Sequence, residues 1–112
     1  MPNERAGVLQ GTLDLMILQT LATMGAQHGY AIAARLEQVS DGSLQLNMGT
    51  LYPGLVRLEA KGWLKAEWMM TESNRRARFY SLTTAGQKRL ALEKSGWERT
   101  ASIMSRILGD KA

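Results

Sequence analysis

The segment from Asn47 to Leu64 constrains this chain most. Asn47 is a good N-cap residue and Gly62 a natural stop, so a short helix is expected between them. Leu51, Leu55 and Leu58 recur at helical spacing and mark its inward side. The opposite side of the wheel carries Gly49, Thr50, Pro53 and Arg57, small residues with one hydroxyl and one cation. A solvated helix face is normally longer and more charged. Small side chains instead let a backbone approach another surface closely, and the major groove of a duplex admits a helix. Pro53 cannot donate to the carbonyl four residues back, which predicts a local bend or a distinct first turn.

Beyond this helix the chain alternates. Leu64, Ala66, Trp68 and Met70 fall on one side of a strand, with Lys65, Glu67 and Met69 on the other. Ala77–Leu82 is a second candidate strand, with Tyr80 and Leu82 sharing a face. The polar stretch from Thr71 to Arg76 between them supplies a turn, so the pair is expected to form a hairpin, or wing.

Upstream, residues 1–10 are polar, contain a Pro and a Gly, and read as a loose arm. Thr12 is placed to cap a first helix, with Leu13, Met16, Ile17, Leu21 and Met24 on its stripe and Gly25 at its stop. A second helix is expected from Gly29 to about Val39, with Ile32, Leu36 and Val39 inward and Ser40-Asp41-Gly42 ending it. Leu44 and Leu46 alternate with polar neighbours and suggest a very short strand. From Thr83 or Thr84 to about Leu108 the chain reads as one long helix, and Thr84 with Gln87 fits a capping box. Its stripe is Leu90, Trp97, Ala101, Met104 and Leu108, widened by Ile103 and Ile107. Three helices and a wing cover only part of it, so its apolar side calls for a partner, most simply a second copy of the chain.

Composition excludes several classes. A chain of 112 residues favours one small domain. No run of apolar residues is long enough to span a bilayer, and the start lacks the basic-then-apolar pattern of a signal peptide, which together lead us to expect a cytoplasmic protein. There is no Cys, hence no disulfide, Cys-bound zinc or thiol nucleophile. His28 is the sole histidine, a poor metal candidate and better suited to a helix start. No paired carboxylates, nucleophile motif or phosphate-cradling glycine loop stands out, so neither an enzyme nor a cofactor is expected. The net charge of +4 is uneven: residues 1–46 carry −2, residues 47–82 carry +3 and residues 83–112 carry +3. Basic segments after an acidic start point to a polyanion partner, although +4 is also ordinary surface charge.

The order of these motifs resembles the PadR family of bacterial transcriptional regulators, in its short-tailed form. The resemblance begins at Leu13–Leu18, passes Gly29-Tyr30, and is sharpest at Gly49-Thr50-Leu51-Tyr52-Pro53 with Leu55, Arg57-Leu58-Glu59 and Gly62 downstream. It resumes at Arg78, Tyr80, Leu82-Thr83 and Gly86 and so covers nearly the whole chain. It implies a mainly α fold with a small β-wing: a winged helix-turn-helix over residues 1–82 and a C-terminal dimerisation helix over 83–112. The function implied is that of a dimeric, sequence-specific regulator of transcription, usually a repressor released by an effector. The resemblance makes Gly49, Thr50, Tyr52 and Pro53 the recognition block, sets Tyr30 near a phosphate, and brings Asn74, Arg75 and Arg76 to the DNA backbone or minor groove. Asn47, Arg57, Lys61 and Arg78 complete the expected contact set.

Each residue also has a plainer role. Tyr52 can pack its ring on the core, and Thr50 can be a simple helix residue. Arg57 can pair with Glu59 or Glu37, Arg75 and Arg76 can serve solubility, and Arg78 can brace the wing. Trp97 reads either as dimer core or as the wall of a site for a flat aromatic effector, with Met16, Met24 and Met104 as adaptable neighbours. A winged helix can also be a protein-interaction adaptor that docks through its long helix, or a non-specific nucleic-acid binder.

Overall fold

The computed structural model describes residues 2–109. In chain order it forms α1 (Pro2–Met24), β1 (Gln27–His28), α2 (Gly29–Val39), α3 (Met48–Ala60), β2 (Leu64–Met70), β3 (Arg76–Leu82) and α4 (Thr84–Leu108). The first helix therefore starts at Pro2, and the arm expected over the opening residues is instead its N-terminal half. Thr12 lies within α1 and is no cap. Met1 and residues 110–112, which the arm and C-terminal helix readings included, lie outside the described residues.

The helix ends follow side-chain chemistry. Gly25 ends α1 with φ of 81°, where a side chain would be strained. His28 caps α2, its Nδ1 accepting the Ala31 N–H at 3.3 Å. Asn47 caps α3, its Oδ1 accepting the Thr50 N–H at 2.9 Å. α4 is capped by Thr83 and not by Thr84: the Thr83 Oγ1 accepts the Gly86 N–H at 2.9 Å. The same hydroxyl donates to the Gly62 carbonyl at 2.7 Å, so one side chain joins the start of α4 to the corner after α3.

The core is one cluster. Leu13, Ile17, Leu18 and Leu21 of α1 meet Ile32 and Leu36 of α2, Leu51, Leu55 and Leu58 of α3, Leu64 of β2 and Tyr80 of β3. Burying each of the three α3 leucines fully is worth about 1.5–3 kcal/mol, which fixes how that helix faces. Gly54 is buried against α1, where an added Cβ would lie 3.3 Å from the Ile17 Cδ1. Leu44 and Leu46 pack on this core from a loop and form no strand. The third strand is β1 instead, giving an antiparallel sheet in the order β1-β3-β2. Gln27 pairs with Tyr80 and His28 with Phe79, whose ring meets the His28 imidazole edge-on at 5.1 Å.

The long hairpin of β2 and β3 pairs Leu64 with Leu82, Ala66 with Tyr80, Trp68 with Arg78 and Met70 with Arg76. Directly paired residues share a face, so the core side of the sheet continues outward as Trp68, Arg78, Met70 and Arg76. The turn is closed by the Thr71 N–H donating to the Arg75 carbonyl at 2.8 Å, with Asn74 left-handed at φ of 64°. A three-residue loop ending in a left-handed residue favours Asn or Gly there. α4 packs along α1, and Leu90 is partly buried against the core. Leu90 of the expected stripe thus packs at least in part on its own protomer. Farther along α4, Trp97, Ile103, Met104, Ile107 and Leu108 are all exposed, Leu108 to 73%, and Ala101 is half-buried.

Candidate nucleic-acid interface

α3 presents two different sides. With its leucines turned inward, Gly49 and Pro53 lie exposed and Thr50 half-exposed at its N-terminal end. Pro53 removes the donor that would meet the Gly49 carbonyl, yet the helix runs uninterrupted from Met48 to Ala60. No separate first turn forms there. The Asn47 side chain is exposed and holds the Thr50 N–H, so its role in the protomer is capping. Lys61, at the far end, is exposed with its ammonium 5.2 Å from the centre of the Trp63 ring.

Tyr30 and Tyr52 flank this surface. Tyr30, at the start of α2, is 71% exposed, and Tyr52 on α3 is 48% exposed. Tyr52 is therefore not a core residue. Both line a pocket of about 150 Å³ whose other walls include Met48, Arg78 and Tyr80. The start of α2, the face of α3 and strand β3 thus converge at one place. The Tyr80 hydroxyl is buried there without a hydrogen-bond partner among the described residues. Burial, the largest influence, raises the pKa of this phenol above its ordinary value, and the nearby Tyr52 adds to the shift.

The arginines divide into held and free. Arg57 forms an ion pair and hydrogen bond with Asp14 of α1, both side chains partly buried. The partner is neither Glu59 nor Glu37, and the pair ties α3 to α1. Arg78 donates to Glu59 at 3.0 Å, tying the wing to the end of α3. That hydrogen bond, the main cause, raises the Arg78 pKa further, so its charge is permanent. Arg75 and Arg76 are exposed and enter no ion pair among the described residues. Asn74 and Arg75 sit at the wing tip, where Glu72 offsets part of the charge.

Two features have no signature in the sequence pattern. The Arg57–Asp14 pair joins positions 43 apart in sequence, which no local pattern reveals. Trp68 is 55% exposed beneath two cations: the Arg76 and Arg78 guanidinium carbons lie 5.1 and 5.7 Å from its ring centre. Residues 17–92 match the family model described as the transcriptional regulator PadR-like family.

The chain belongs to the PadR-like family of transcriptional regulators. Its backbone is similar to that of a transcriptional regulator from Clostridium thermocellum, with a TM-score of 0.81 and 28% identity over 89% of this chain and 96% of that one. A PadR family transcription regulator from Clostridium difficile R20291 is 30% identical with a TM-score of 0.71, over 86% of this chain and 97% of that one. A curated relative, an uncharacterised 37.1 kDa protein in transposon Tn4556 of Streptomyces fradiae, is 40% identical over 96 residues. Those residues are 86% of this chain but only 24% of that relative, so the match spans about a quarter of its length. Like its PadR-like relatives, this chain is a winged-helix regulator, with four helices, a small antiparallel sheet and a long C-terminal helix.

Proposed function

We propose that this PadR-like chain works as a homodimeric, sequence-specific repressor, with α3 of each protomer lying in the major groove of one half-site. The observation that carries the reading is the exposed, nearly side-chain-free end of α3 at Gly49, Thr50 and Pro53, flanked by Tyr30 and Tyr52. Small residues admit close approach, and flanking hydroxyls are suited to phosphate oxygens. Arg75 and Arg76 at the wing supply free charge, Asn74 shapes the tip, and Lys61 adds a cation at the other end of α3. Arg57 and Arg78 act mainly by orienting α3 and the wing, since each already has a carboxylate partner. With few bulky side chains facing the groove, part of the specificity comes from DNA shape.

The second copy joins through the exposed apolar run of α4, Trp97 to Leu108, with α1 contributing. A groove of about 370 Å³ between α1 and α4, bordered by Gly11, Leu15, Gly96 and Trp97, supports the further reading that a flat aromatic effector stacks on Trp97 near the dimer axis. Binding there alters the separation of the two recognition helices and releases DNA.

The test is binding of the purified chain to the DNA upstream of its own gene. Expected are a shifted complex over an inverted repeat, affinity that falls steeply with salt, and loss of binding in Arg75→Glu/Arg76→Glu with the dimer intact by sedimentation. Equal binding of shuffled DNA refutes sequence specificity. Undiminished binding by the charge-reversed variant refutes the wing's part, and an interaction adaptor would keep its protein partner through both changes.

A further inference from the structure

The wing carries an apolar strip that the fold does not bury. Trp68, Met69 and Met70 are consecutive, all exposed, and lie on β2, an edge strand of the sheet. Single exposed apolar residues are ordinary, but three in a row on an open edge invite aggregation unless the surface is used. Cross-strand register sets Trp68 and Met70 on one face with Arg78 and Arg76. Both guanidinium groups lie within cation–π range of the Trp68 ring. Arg78 is already held by Glu59, whereas Arg76 has no carboxylate partner among the described residues and lies over the Trp68 ring.

We infer that Trp68 is a positioning residue for DNA binding: it holds the Arg76 guanidinium extended toward a backbone phosphate and lays its ring edge, with Met70, along the adjoining deoxyriboses. The inference rests on the proposed DNA-binding function and adds a residue that the proposed contact set does not use. The chemistry matches on both counts. A groove wall alternates anionic phosphates with apolar sugar faces, and the strip alternates guanidinium groups with an indole and a thioether. An arginine free in water loses rotamer entropy when fixed, and a stacked one has already lost part of it. Trp68 therefore contributes to affinity without contributing charge.

The experiment measures binding of the full chain to a labelled mixed-sequence duplex of about 30 base pairs at low salt, where phosphate contacts dominate. Trp68→Ala is expected to weaken binding about fivefold, Trp68→Phe to restore most of it, and Trp68→Leu, apolar but without a π face, to restore little. In an Arg76→Ala background, Trp68→Ala is expected to cost less than about twofold, because the group it positions is gone. Circular dichroism of each variant identifies any that has lost the fold, and Trp68→Phe keeps the test intact if Trp68→Ala is among them. Equal binding by the Phe and Leu variants, or a full fivefold effect in the Arg76→Ala background, overturns the inference. If the unaltered chain binds and Trp68→Ala binds as well, this inference alone falls; if the unaltered chain binds no duplex, the regulator reading falls with it.

Discussion

Gly86→Ala tests how α4 is fastened to the rest of the protomer. Gly86 is buried in the first turn of α4, and helix propensity alone says that Ala there should stabilise by about 1 kcal/mol. The surroundings say the opposite. A Cβ at Gly86 would lie 2.0 Å from the Trp63 carbonyl oxygen, 3.0 Å from its carbon and 3.2 Å from the Leu82 Cδ2. Ordinary carbon–oxygen contacts begin at about 3.3 Å, so the two backbone segments must part by more than about 1 Å. That separation disrupts the Thr83 N–H to Trp63 carbonyl bond of 3.1 Å and the Thr83 hydroxyl to Gly62 carbonyl bond of 2.7 Å. Each is worth about 1 kcal/mol, and overpacking adds about 1–3 kcal/mol. After subtracting the propensity gain, the net loss is about 3 kcal/mol, a fall in Tm of about 12 °C for a domain of this size. Thermal unfolding followed by circular dichroism measures it. A Tm that is unchanged or raised would refute the reasoning, because the propensity term would then outweigh the contact.

Two further perturbations test the core and its clamp. Tyr80→Phe removes a buried hydroxyl that has no hydrogen-bond partner among the described residues, so stability at neutral pH should rise by about 1 kcal/mol in urea melts. Because burial raises the folded-state pKa of Tyr80, its contribution is whole below the ordinary phenol value of about 10 and is lost as pH climbs through the raised value; the variant should therefore lose less stability on the alkaline side. A clear drop in neutral stability for Tyr80→Phe would mean the hydroxyl is satisfied after all. For the Asp14–Arg57 pair, a double-mutant cycle of Asp14→Ala and Arg57→Ala should give a coupling of about 0.5–1 kcal/mol. Strictly additive losses would show that the two side chains do not clamp α1 to α3.

The parts of the fold legible in the sequence are those set by local chemistry. Asn47 begins α3 because its side chain can take a backbone N–H, and α2 ends at Ser40-Asp41-Gly42 because Asp41 and Gly42 adopt positive φ. The hairpin is written in the alternation of its strands. What sequence hides is non-local or too short. β1 has two residues, and its pairing with β3 depends on chain more than 50 residues away. Leu44 and Leu46 alternate as a strand would, yet they find the core from a loop with no strand to pair with. Pro2, Gly7 and their polar neighbours argue for an arm, but α1 runs through them. At the candidate interface, the small face of α3 is readable from the spacing of its leucines. The division of the arginines into held and free is not, because Asp14 and Glu59 reach them only through tertiary packing. The choice of Thr83 over Thr84 as the cap turns on Gly86, whose close approach to Trp63 fixes where α4 begins.

α1 touches both of the proposed surfaces of the protomer at once. Leu13, Asp14 and Ile17 grip α3 through Gly54 and Arg57, while Thr12 and Leu15 border the groove beside Trp97. These residues are close neighbours along a single helix, so no slack segment intervenes between them. In the proposed mechanism, a molecule wedged into the groove would press on the same rod that steadies α3. Under the proposed reading, a signal between the groove and α3 has a stiff route about 10 Å wide, the girth of a single helix.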